Sequence, residues 1–187
     1  MTATNPMLLI FSGLPGAGKT TLARLLARRL RASYLRIDTI EQGLRDLCGL
    51  DVQGEGYRLS YRIAQDNLLL GMSVVADCCN PIALTRREWT RVAEDSGAEC
   101  RNIEIVCSDR EEHRRRVEGR ASTVPGLVLP TWKEVRERDY DPWERAEAVR
   151  LDTAGRSVDQ SFADLLALLK LEGIGPDSDS AEGQCLA

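Results

Sequence analysis

The sequence predicts an α/β fold, a three-layer sandwich in which helices cover both faces of a parallel sheet. Short apolar runs alternate along the chain with segments of helical periodicity. The first run, MLLIF at 7–11, is continuously apolar, as expected of a parallel strand buried on both faces. Three of four capping-box patterns follow a predicted strand within ten residues, which is typical of βαβ units.

Five strands are predicted, at 7–11, 33–37, 73–76, 103–107 and 148–151. Leucines 22, 25, 26 and 30 recur at helical spacing after the first strand, and 161–170 repeats this pattern near the end. Capping boxes beginning at Thr85, Ser108, Thr131 and Ser157 predict further helix starts. The segment ASTVPGLVLP at 121–130 is irregular and lies between two charged helices, which favours a lid.

Length and composition favour one domain over 1–171, with the lid at about 109–140 and a disordered tail at 172–187. The net charge is −4, but the last 17 residues hold four acids and no base. The body is therefore neutral by count, which makes nucleic acid an unlikely partner. No apolar run approaches a bilayer span and the first residues lack a signal-peptide pattern, so we expect a cytoplasmic protein without a membrane partner.

The cysteines and the single histidine argue against a metal site built from thiolates and against a Ser-His or Cys-His catalytic relay. The six cysteines have no C-x-x-C spacing and are expected to be reduced thiols. His113, the single histidine, lies in EEHRRR and is predicted to lie on a solvated helix surface. A zinc site rich in histidine is thereby excluded.

The stretch GLPGAGKT at 13–20 follows the first strand, opens the first helix and matches the pattern G-x-x-x-x-G-K-[ST]. Its three glycines allow the backbone N–H groups to wrap around a phosphate. Lys19 would contact the β- and γ-phosphates and Thr20 would bind magnesium. We therefore predict nucleotide binding by Gly13, Leu14, Pro15, Gly16, Ala17, Gly18, Lys19, Thr20 and Thr21. Lysine occurs three times in the chain against 22 arginines, so this lysine is not explained by background frequency.

A second stretch, DTAG at 152–155, has the spelling of a magnesium and γ-phosphate element of GTP-hydrolysing switches. It lies more than 130 residues after the phosphate loop, and the base-reading motif N-K-x-D is absent from the sequence. We predict that DTAG is the turn after the last strand and that Ser157 caps the last helix. A backbone contact of this turn with the adenine edge stays a hypothesis.

Two acids are predicted at the carboxyl ends of strands, where parallel sheets open onto a shared crevice. Asp77 ends the strand in VVADCCNP and is the predicted second magnesium ligand, the alternative being a turn former. Asp38, in YLRIDTIEQ, is predicted to end the second strand and to accept a proton from an attacking hydroxyl. Its alternative role is the cap of the helix from Thr39 to Leu47.

Arginines supply the other predicted catalytic groups. Arg116 and Arg120 are four residues apart, on one face of a helix that leads into the predicted lid. Their guanidinium groups suit closure over a transferred phosphoryl group, although a solvated face paired with Glu111, Glu112 and Glu118 is the alternative. Arg45 and Asn80 are predicted, with Asp38, to bind the acceptor; the alternative for Arg45 is a solvated surface arginine. Tyr57, Arg58, Tyr61 and Arg62 line the acceptor pocket or form an ordinary amphipathic helix.

With these residues assembled, the sequence resembles P-loop small-molecule kinases of the nucleoside-monophosphate-kinase type and the short AAA-type ATP-binding proteins. The stretches that carry the resemblance are FSGLPGAGKTTLARLLA, VVADCCNP, EHRRRVEGR and LPTWKEVRERDYDPWE, within roughly residues 7–170. The resemblance implies a P-loop NTPase fold with strand order 2-3-1-4-5, ATP and Mg²⁺ as cofactors, and a lid carrying Arg116 and Arg120. RIDTIEQ departs from the adenylylsulfate kinase pattern, and Glu41 departs from that of polynucleotide 5′-kinases.

The leading hypothesis is a monomeric or weakly dimeric kinase that transfers the γ-phosphate of ATP to a hydroxyl of a small molecule. The alternatives are an ATP-binding module or slow ATPase without an acceptor, and a polynucleotide 5′-kinase-like or adenylylsulfate-kinase-like activity. The residues do not identify the acceptor.

Overall fold

The central element of the fold is a five-stranded parallel sheet with the order β2-β3-β1-β4-β5. The structure, a computed structural model, describes residues 5–141, 143–144 and 146–173. Its strands are β1 Met7–Ser12, β2 Ser33–Arg36, β3 Val74–Asp77, β4 Glu99–Val106 and β5 Val149–Asp152. Its helices are α1 Lys19–Leu30, α2 Ile37–Cys48, α3 Glu55–Leu69, α4 Ala83–Asp95, α5 Arg110–Gly119, α6 Trp132–Arg136 and α7 Val158–Leu169. The predicted fold class and strand order are confirmed.

Alternating side chains of the central strand feed two cores. Leu9 and Phe11 pack on one side of the sheet with residues of α1 and α7, including Leu26 and Leu165. Leu8 and Ile10 pack on the other side with residues of α3 and α4, including Trp89. These four side chains of β1 are fully buried, which explains why apolar and polar residues do not alternate in MLLIF. The continuous apolar run thus specifies the middle layer of a three-layer sandwich.

The register places the ends of neighbouring strands at one edge of the sheet. Phe11 of β1 pairs with Asp77 of β3, and Asp77 pairs in turn with Arg36 of β2. The phosphate-loop segment follows β1 directly at this edge. Parallel strands therefore deliver the loop, Asp77 and the start of α2 to the same crevice.

Two of the four predicted capping boxes are correct. The structure contains those of Thr131 with Glu134 and of Ser157 with Gln160. The prediction at Ser108 is wrong by one residue, because Asp109 is the N-cap and its side chain accepts from the Glu112 N–H. The prediction at Thr85 is also wrong, since α4 begins at Ala83, immediately after Pro81 and Ile82.

The second strand is shorter than predicted, and this moves Asp38. The strand ends at Arg36 and α2 begins at Ile37 without a loop, so Asp38 lies in the first turn of the helix. The extended residue Arg36 is the N-cap. Asp38 is thus neither the last residue of a strand nor the helix cap, the two placements that the sequence suggested.

None of the helices in the described ranges is both long and apolar enough to cross a membrane. Apart from its first two residues, the predicted tail 172–187 lies outside the described residues. The segment 121–130, the centre of the predicted lid, connects α5 to α6 and runs along the crevice at the sheet edge.

Candidate functional site

The loop between β1 and α1 has a backbone that depends on glycine. Gly13 has a φ of 128°, and a Cβ at this position would lie 2.2 Å from the Ile105 carbonyl oxygen. Gly18 is the N-cap of α1 with a φ of 102°. No side chain of the described residues caps this helix start, and its first turn contains no acid. The free N–H groups and the helix dipole therefore favour an anion at this point.

Lys19 is positioned within this loop rather than in solvent. It is only 7% exposed, and its Nζ donates to the Leu14 carbonyl oxygen at 2.9 Å. This hydrogen bond folds the side chain back over the loop. The ammonium group is thus held close to the uncapped helix N-terminus, where the negative charge of a phosphate would also lie.

The loop is supported from behind by α5 and by the turn after β5. His113 Nε2 lies 2.8 Å from the Pro15 carbonyl oxygen, and its ring packs edge-on against Trp132. Thr153 Oγ1 donates to the Ala17 carbonyl oxygen at 2.9 Å. The prediction of a solvated His113 is wrong, because the loop covers one side of α5 and leaves the residue 7% exposed.

The DTAG stretch is the turn that follows β5, as predicted, and Ser157 caps α7. Its Thr153 is buried and accepts a hydrogen bond of 2.7 Å from Arg116 while donating to the phosphate loop. Asp152 caps the local backbone by accepting from Ser108 and Ala154 N–H groups. DTAG thus shares its residue letters, and not its place in the fold, with the GTP-switch element. In this structure the turn connects the phosphate loop to Arg116.

Replacement of Thr153 by valine is expected to destabilise the fold by about 1–3 kcal/mol. The isosteric side chain removes the donor to Ala17 and leaves this buried carbonyl without that partner. Urea unfolding followed by circular dichroism measures the change. Thr90→Val is the matched control, since the Thr90 hydroxyl donates to the Arg86 carbonyl oxygen of its own helix. Equal midpoints for both variants would contradict the role of Thr153.

His113 makes the stability of the fold pH-dependent in a defined direction. Burial lowers the pKa of its imidazole, and the charges of Lys19, Arg116 and Arg120 lower it further against the opposing Pro15 hydrogen bond. An unfolded histidine titrates near a pKa of about 6.5, so below that pH the unfolded chain binds more protons and stability falls. We expect the melting temperature to drop more steeply between about pH 7 and pH 5 than that of His113→Gln. Parallel pH profiles would contradict this.

The loop opens onto a cavity of about 880 Å³, within the size range of small-ligand sites. Its lining includes Gly16, Gly18, Lys19, Thr20, Thr21, Asp38, Arg45, Asp77, Arg116 and Arg120. The sequence therefore predicted many of the residues that line this cavity. Residues 121–123 and 126–130 line it as well, so the predicted lid segment borders the site.

Asp77 is held in place by two groups of the neighbouring strand. Tyr34 donates its hydroxyl to Asp77 Oδ2 at 2.7 Å, and Arg36 Nε lies 4.0 Å from the same oxygen. Burial and then the Asp77 carboxylate raise the pKa of the Tyr34 phenol, so this hydroxyl stays a donor. Asp77 is 4% exposed and lines the cavity. Its carboxylate is therefore an acceptor that is held in one position.

Asp38 faces the cavity from α2 and is itself exposed. Its Oδ2 lies 3.6 Å from Arg36 Nη2. One turn further along the helix, Glu41 and Arg45 form an ion pair of 3.5 Å, and burial raises the pKa of the Glu41 carboxyl. An accessible carboxylate beside guanidinium groups can accept a proton from a bound hydroxyl.

The two predicted lid arginines occupy different parts of the cavity. Arg116 is tied to Glu112 at 2.5 Å and to the Thr153 carbonyl oxygen at 2.9 Å, next to the phosphate loop. Arg120 is the C-cap of α5 and lines the same cavity, where burial lowers the pKa of its guanidinium group against the opposing charge of Asp38. Arg116 is thus bonded to the turn after β5 next to the phosphate loop, whereas Arg120 stands at the end of α5.

Asn80 is not one of the residues that line the cavity. It is fully buried with a φ of 46°, and its Nδ2 donates to Ser12 Oγ at 3.1 Å. Its backbone N–H donates to the Tyr57 hydroxyl at 2.9 Å, while Tyr61 packs edge-on against Trp89. These residues fix the turn after β3 and the position of α3, so the structure gives them packing roles. Arg58 and Arg62 are exposed on α3 and are absent from the cavity lining.

Among the described residues, no group of three or more His, Cys, Asp and Glu side chains is arranged to hold a metal by itself. Thr20 and Asp77 both line the cavity at the loop. A hydroxyl and one carboxylate suit a Mg²⁺ ion that takes its remaining ligands from phosphates and water. The donor set thus fits a metal that arrives with a nucleotide.

Several residues in or next to the cavity were not predicted from the sequence as site residues: Arg36, Tyr34, Gln42, Cys79 and Arg138. Arg36 could have been found from its position beside Asp77 at the end of a short strand. Arg138 and Cys79 gave no such signal, because their contact at 3.6 Å joins residues 59 positions apart.

Comparison with known proteins agrees with this architecture. A family model described as an AAA domain matches residues 8–138, well over half of the chain. A protein named "Probable adenylyl-sulfate kinase" from Aeropyrum pernix is 28% identical over 169 residues, which cover 85% of this chain and 90% of that protein. A "Putative adenylate kinase" from Thermococcus gammatolerans is 37% identical over 73 residues, but the match spans only 40% of its length.

Solved structures share the fold at low sequence identity. The APS kinase CysC of Mycobacterium tuberculosis, in complex with AMPPNP and APS, has a TM-score of 0.65 at 21% identity and covers 89% of this chain and 98% of its own. A gluconokinase from Sinorhizobium meliloti has a TM-score of 0.64 at 16% identity, covering 89% and 93%. With the phosphate loop, the sheet order and the family match in agreement, the chain belongs to the AAA-domain family of P-loop proteins.

Proposed function

We propose that this protein is an ATP-dependent kinase that transfers the γ-phosphate of ATP to a hydroxyl group of a small molecule. The observation that carries the proposal is that Lys19, Thr20, Asp77 and Asp38 line one cavity. In this proposal the phosphate loop forms the donor side of the cavity and the accessible carboxylate of Asp38 belongs to its acceptor side. The similarities to an adenylyl-sulfate kinase, an APS kinase and a gluconokinase support it, because all three are kinases.

On the donor side, the backbone N–H groups of the loop and the α1 N-terminus bind the β-phosphate of ATP. Lys19 contacts the β- and γ-oxygens as a point charge. Arg116 lies beside the loop and has part of its donor capacity committed to Thr153 and Glu112, which fixes its orientation. These groups stabilise the charge that develops on the transferred phosphoryl group.

Thr20 and Asp77 are the residues that would hold Mg²⁺, and the bound ion would neutralise charge on the β- and γ-phosphate oxygens. Tyr34 and Arg36 keep the Asp77 carboxylate in one orientation. Because Asp77 is buried and already accepts a hydrogen bond, it is suited to metal binding rather than to proton transfer.

On the acceptor side, the substrate hydroxyl oxygen attacks the γ-phosphorus and the bond to the β–γ bridging oxygen breaks. Asp38 accepts the hydroxyl proton, and ADP leaves with the bridging oxygen. The segment 121–130 borders the cavity and serves as a lid that excludes water, so that the γ-phosphate goes to the acceptor and not to hydrolysis.

Thermal shift measurements test nucleotide choice. ATP with Mg²⁺ should raise the melting temperature, whereas GTP should not. Incubation with γ-labelled ATP and a metabolite extract, followed by mass spectrometry, should then reveal a phosphorylated species. Adenylyl sulfate is tested as a defined acceptor because of the similarity to the Aeropyrum pernix protein.

The alternatives give different results in the same experiments. A slow ATPase or binding module would release inorganic phosphate, or none, without labelling any compound. A GTP preference would favour the switch interpretation of DTAG. Either result would contradict the proposed phosphotransfer.

A further inference from the structure

The imidazole of His113 contacts two segments that have different parts in the proposed reaction. Its Nε2 lies 2.8 Å from the Pro15 carbonyl oxygen of the phosphate loop. Its ring centroid lies 5.2 Å from that of Trp132, and the two ring planes meet at 75°. A carbonyl oxygen only accepts hydrogen bonds, so the ring nitrogen that faces Pro15 carries a proton. One side chain thus donates to the loop and packs against the first residue of α6.

The backbone of the phosphate loop lies directly against this part of α5. A Cβ at Gly16 would lie 2.5 Å from Val117 Cγ2 and 3.3 Å from His113 Cδ2. The loop therefore touches both side chains, and both are buried. Close-packed groups transmit a displacement, because there is no free volume between them to absorb it. We therefore expect a shift of the loop at Gly16 to move the imidazole.

Trp132 connects the same contact to the lid segment 121–130. The segment ends at Pro130, two residues before Trp132. Its residue Gly126 approaches α2 so closely that a Cβ there would lie 3.1 Å from Gln42 Nε2. The lid thus leaves little room above α2 at this point, and a small rotation of α6 would alter the contact between the lid and α2.

We propose that His113 is a positioning residue that couples occupation of the phosphate loop to the position of the lid segment 121–130. A phosphate bound by the N–H groups of the loop fixes the loop in one arrangement. His113 follows through its hydrogen bond to Pro15, and Trp132 follows through its ring contact with His113. This coupling runs behind the loop and needs no contact between the lid and the nucleotide. The inference rests on the proposed kinase function, in which the lid excludes water from the transferred group.

Fluorine NMR of the full chain labelled with 5-fluorotryptophan tests the coupling. The chain contains three tryptophans, and replacement of each by phenylalanine assigns its resonance. ADP with Mg²⁺, which fills the loop without a γ-phosphate, should shift the Trp132 resonance, although Trp132 does not line the cavity. Adenosine, which has no phosphate, should leave it in place. The Trp89 resonance is the internal reference, because this residue is fully buried on the α3 and α4 side of the sheet.

Two variants separate the two contacts of His113. His113→Gln keeps an N–H donor for Pro15 but loses the ring, so ADP should bind with nearly unchanged affinity while the Trp132 shift is lost. His113→Phe keeps a ring against Trp132 but loses the hydrogen bond. Its Trp132 shift should also be lost, and its ADP affinity should fall by about three- to tenfold. Arg115→Gln is the matched control, because Arg115 is exposed on the same helix and does not line the cavity.

The possible outcomes separate this inference from the proposed function. A Trp132 resonance that does not respond while ADP binds would overturn the coupling and leave the kinase proposal intact. A response that persists in both His113 variants would do the same, since the lid would then follow the nucleotide without this residue. The expected response, with no transfer to any compound of the extract, would overturn the kinase and leave the coupling standing. If neither ATP nor ADP binds, both proposals fail.

Discussion

Replacement of Asp38 by asparagine is expected to reduce phosphoryl transfer by about 10²–10⁴-fold while the affinity for ATP stays nearly unchanged. The side chain belongs to α2 and not to the phosphate loop, so we expect its loss to leave the loop's contacts with the nucleotide intact. Asparagine has a similar shape but cannot accept the hydroxyl proton. Initial rates of label transfer and calorimetric titration with AMPPNP measure the two effects separately.

Asp95→Asn is the control for this variant. Asp95 ends α4, is exposed and does not line the cavity, so the same chemical change should leave transfer intact. Unchanged transfer by Asp38→Asn would remove Asp38 from the mechanism. A parallel loss of ATP affinity would instead place Asp38 in the nucleotide site.

Replacement of Lys19 by alanine is expected to weaken ATP binding by about 10–100-fold, as for the loss of a hydrogen-bonding charge. Transfer should fall further, by about 10²–10³-fold, because the same ammonium group stabilises charge that develops on the leaving and transferred oxygens. The reason lies in its geometry: Lys19 is nearly buried and its Nζ is fixed by the Leu14 carbonyl oxygen. Calorimetry with ATP analogues and single-turnover rates measure the two effects.

Lys133→Ala tests whether loss of any lysine has this effect. Lys133 is exposed on α6 and is absent from the cavity lining, so its variant should bind and transfer normally. If Lys19→Ala keeps the affinity of the unmodified chain, the loop does not bind the phosphates as proposed. Thermal unfolding of both variants checks that the fold is retained.

The sequence was sufficient for those parts of the site that are local in the chain. The phosphate loop is eight consecutive residues between a strand and a helix, and its glycines have the positive φ angles that the pattern requires. Asp77 was also predictable, because the ends of neighbouring parallel strands meet at one edge. Residue pattern and a general rule of sheet geometry were enough in both cases.

Long-range contacts explain where prediction from sequence failed. His113 lies in a stretch of charged residues and was predicted to be solvated, but it is buried by Pro15, 98 positions away. Asn80, whose contact with the acceptor stays a prediction, has its side chain buried against Ser12, 68 positions away. Neither partner can be read from the local pattern, because the sheet order brings these segments together.

The amino-acid sequence by itself determined the α/β class, the strand order that its resemblance implied, and the anion-binding loop. The tertiary structure decided the contacts of the arginines: Arg116 is bonded to the turn after β5, whereas the buried Nε of Arg120 has no hydrogen-bond partner in the described chain. The physical reason is that periodicity and turn chemistry act over a few residues. Burial and charge pairing depend on which distant strands and helices the sheet places at one edge.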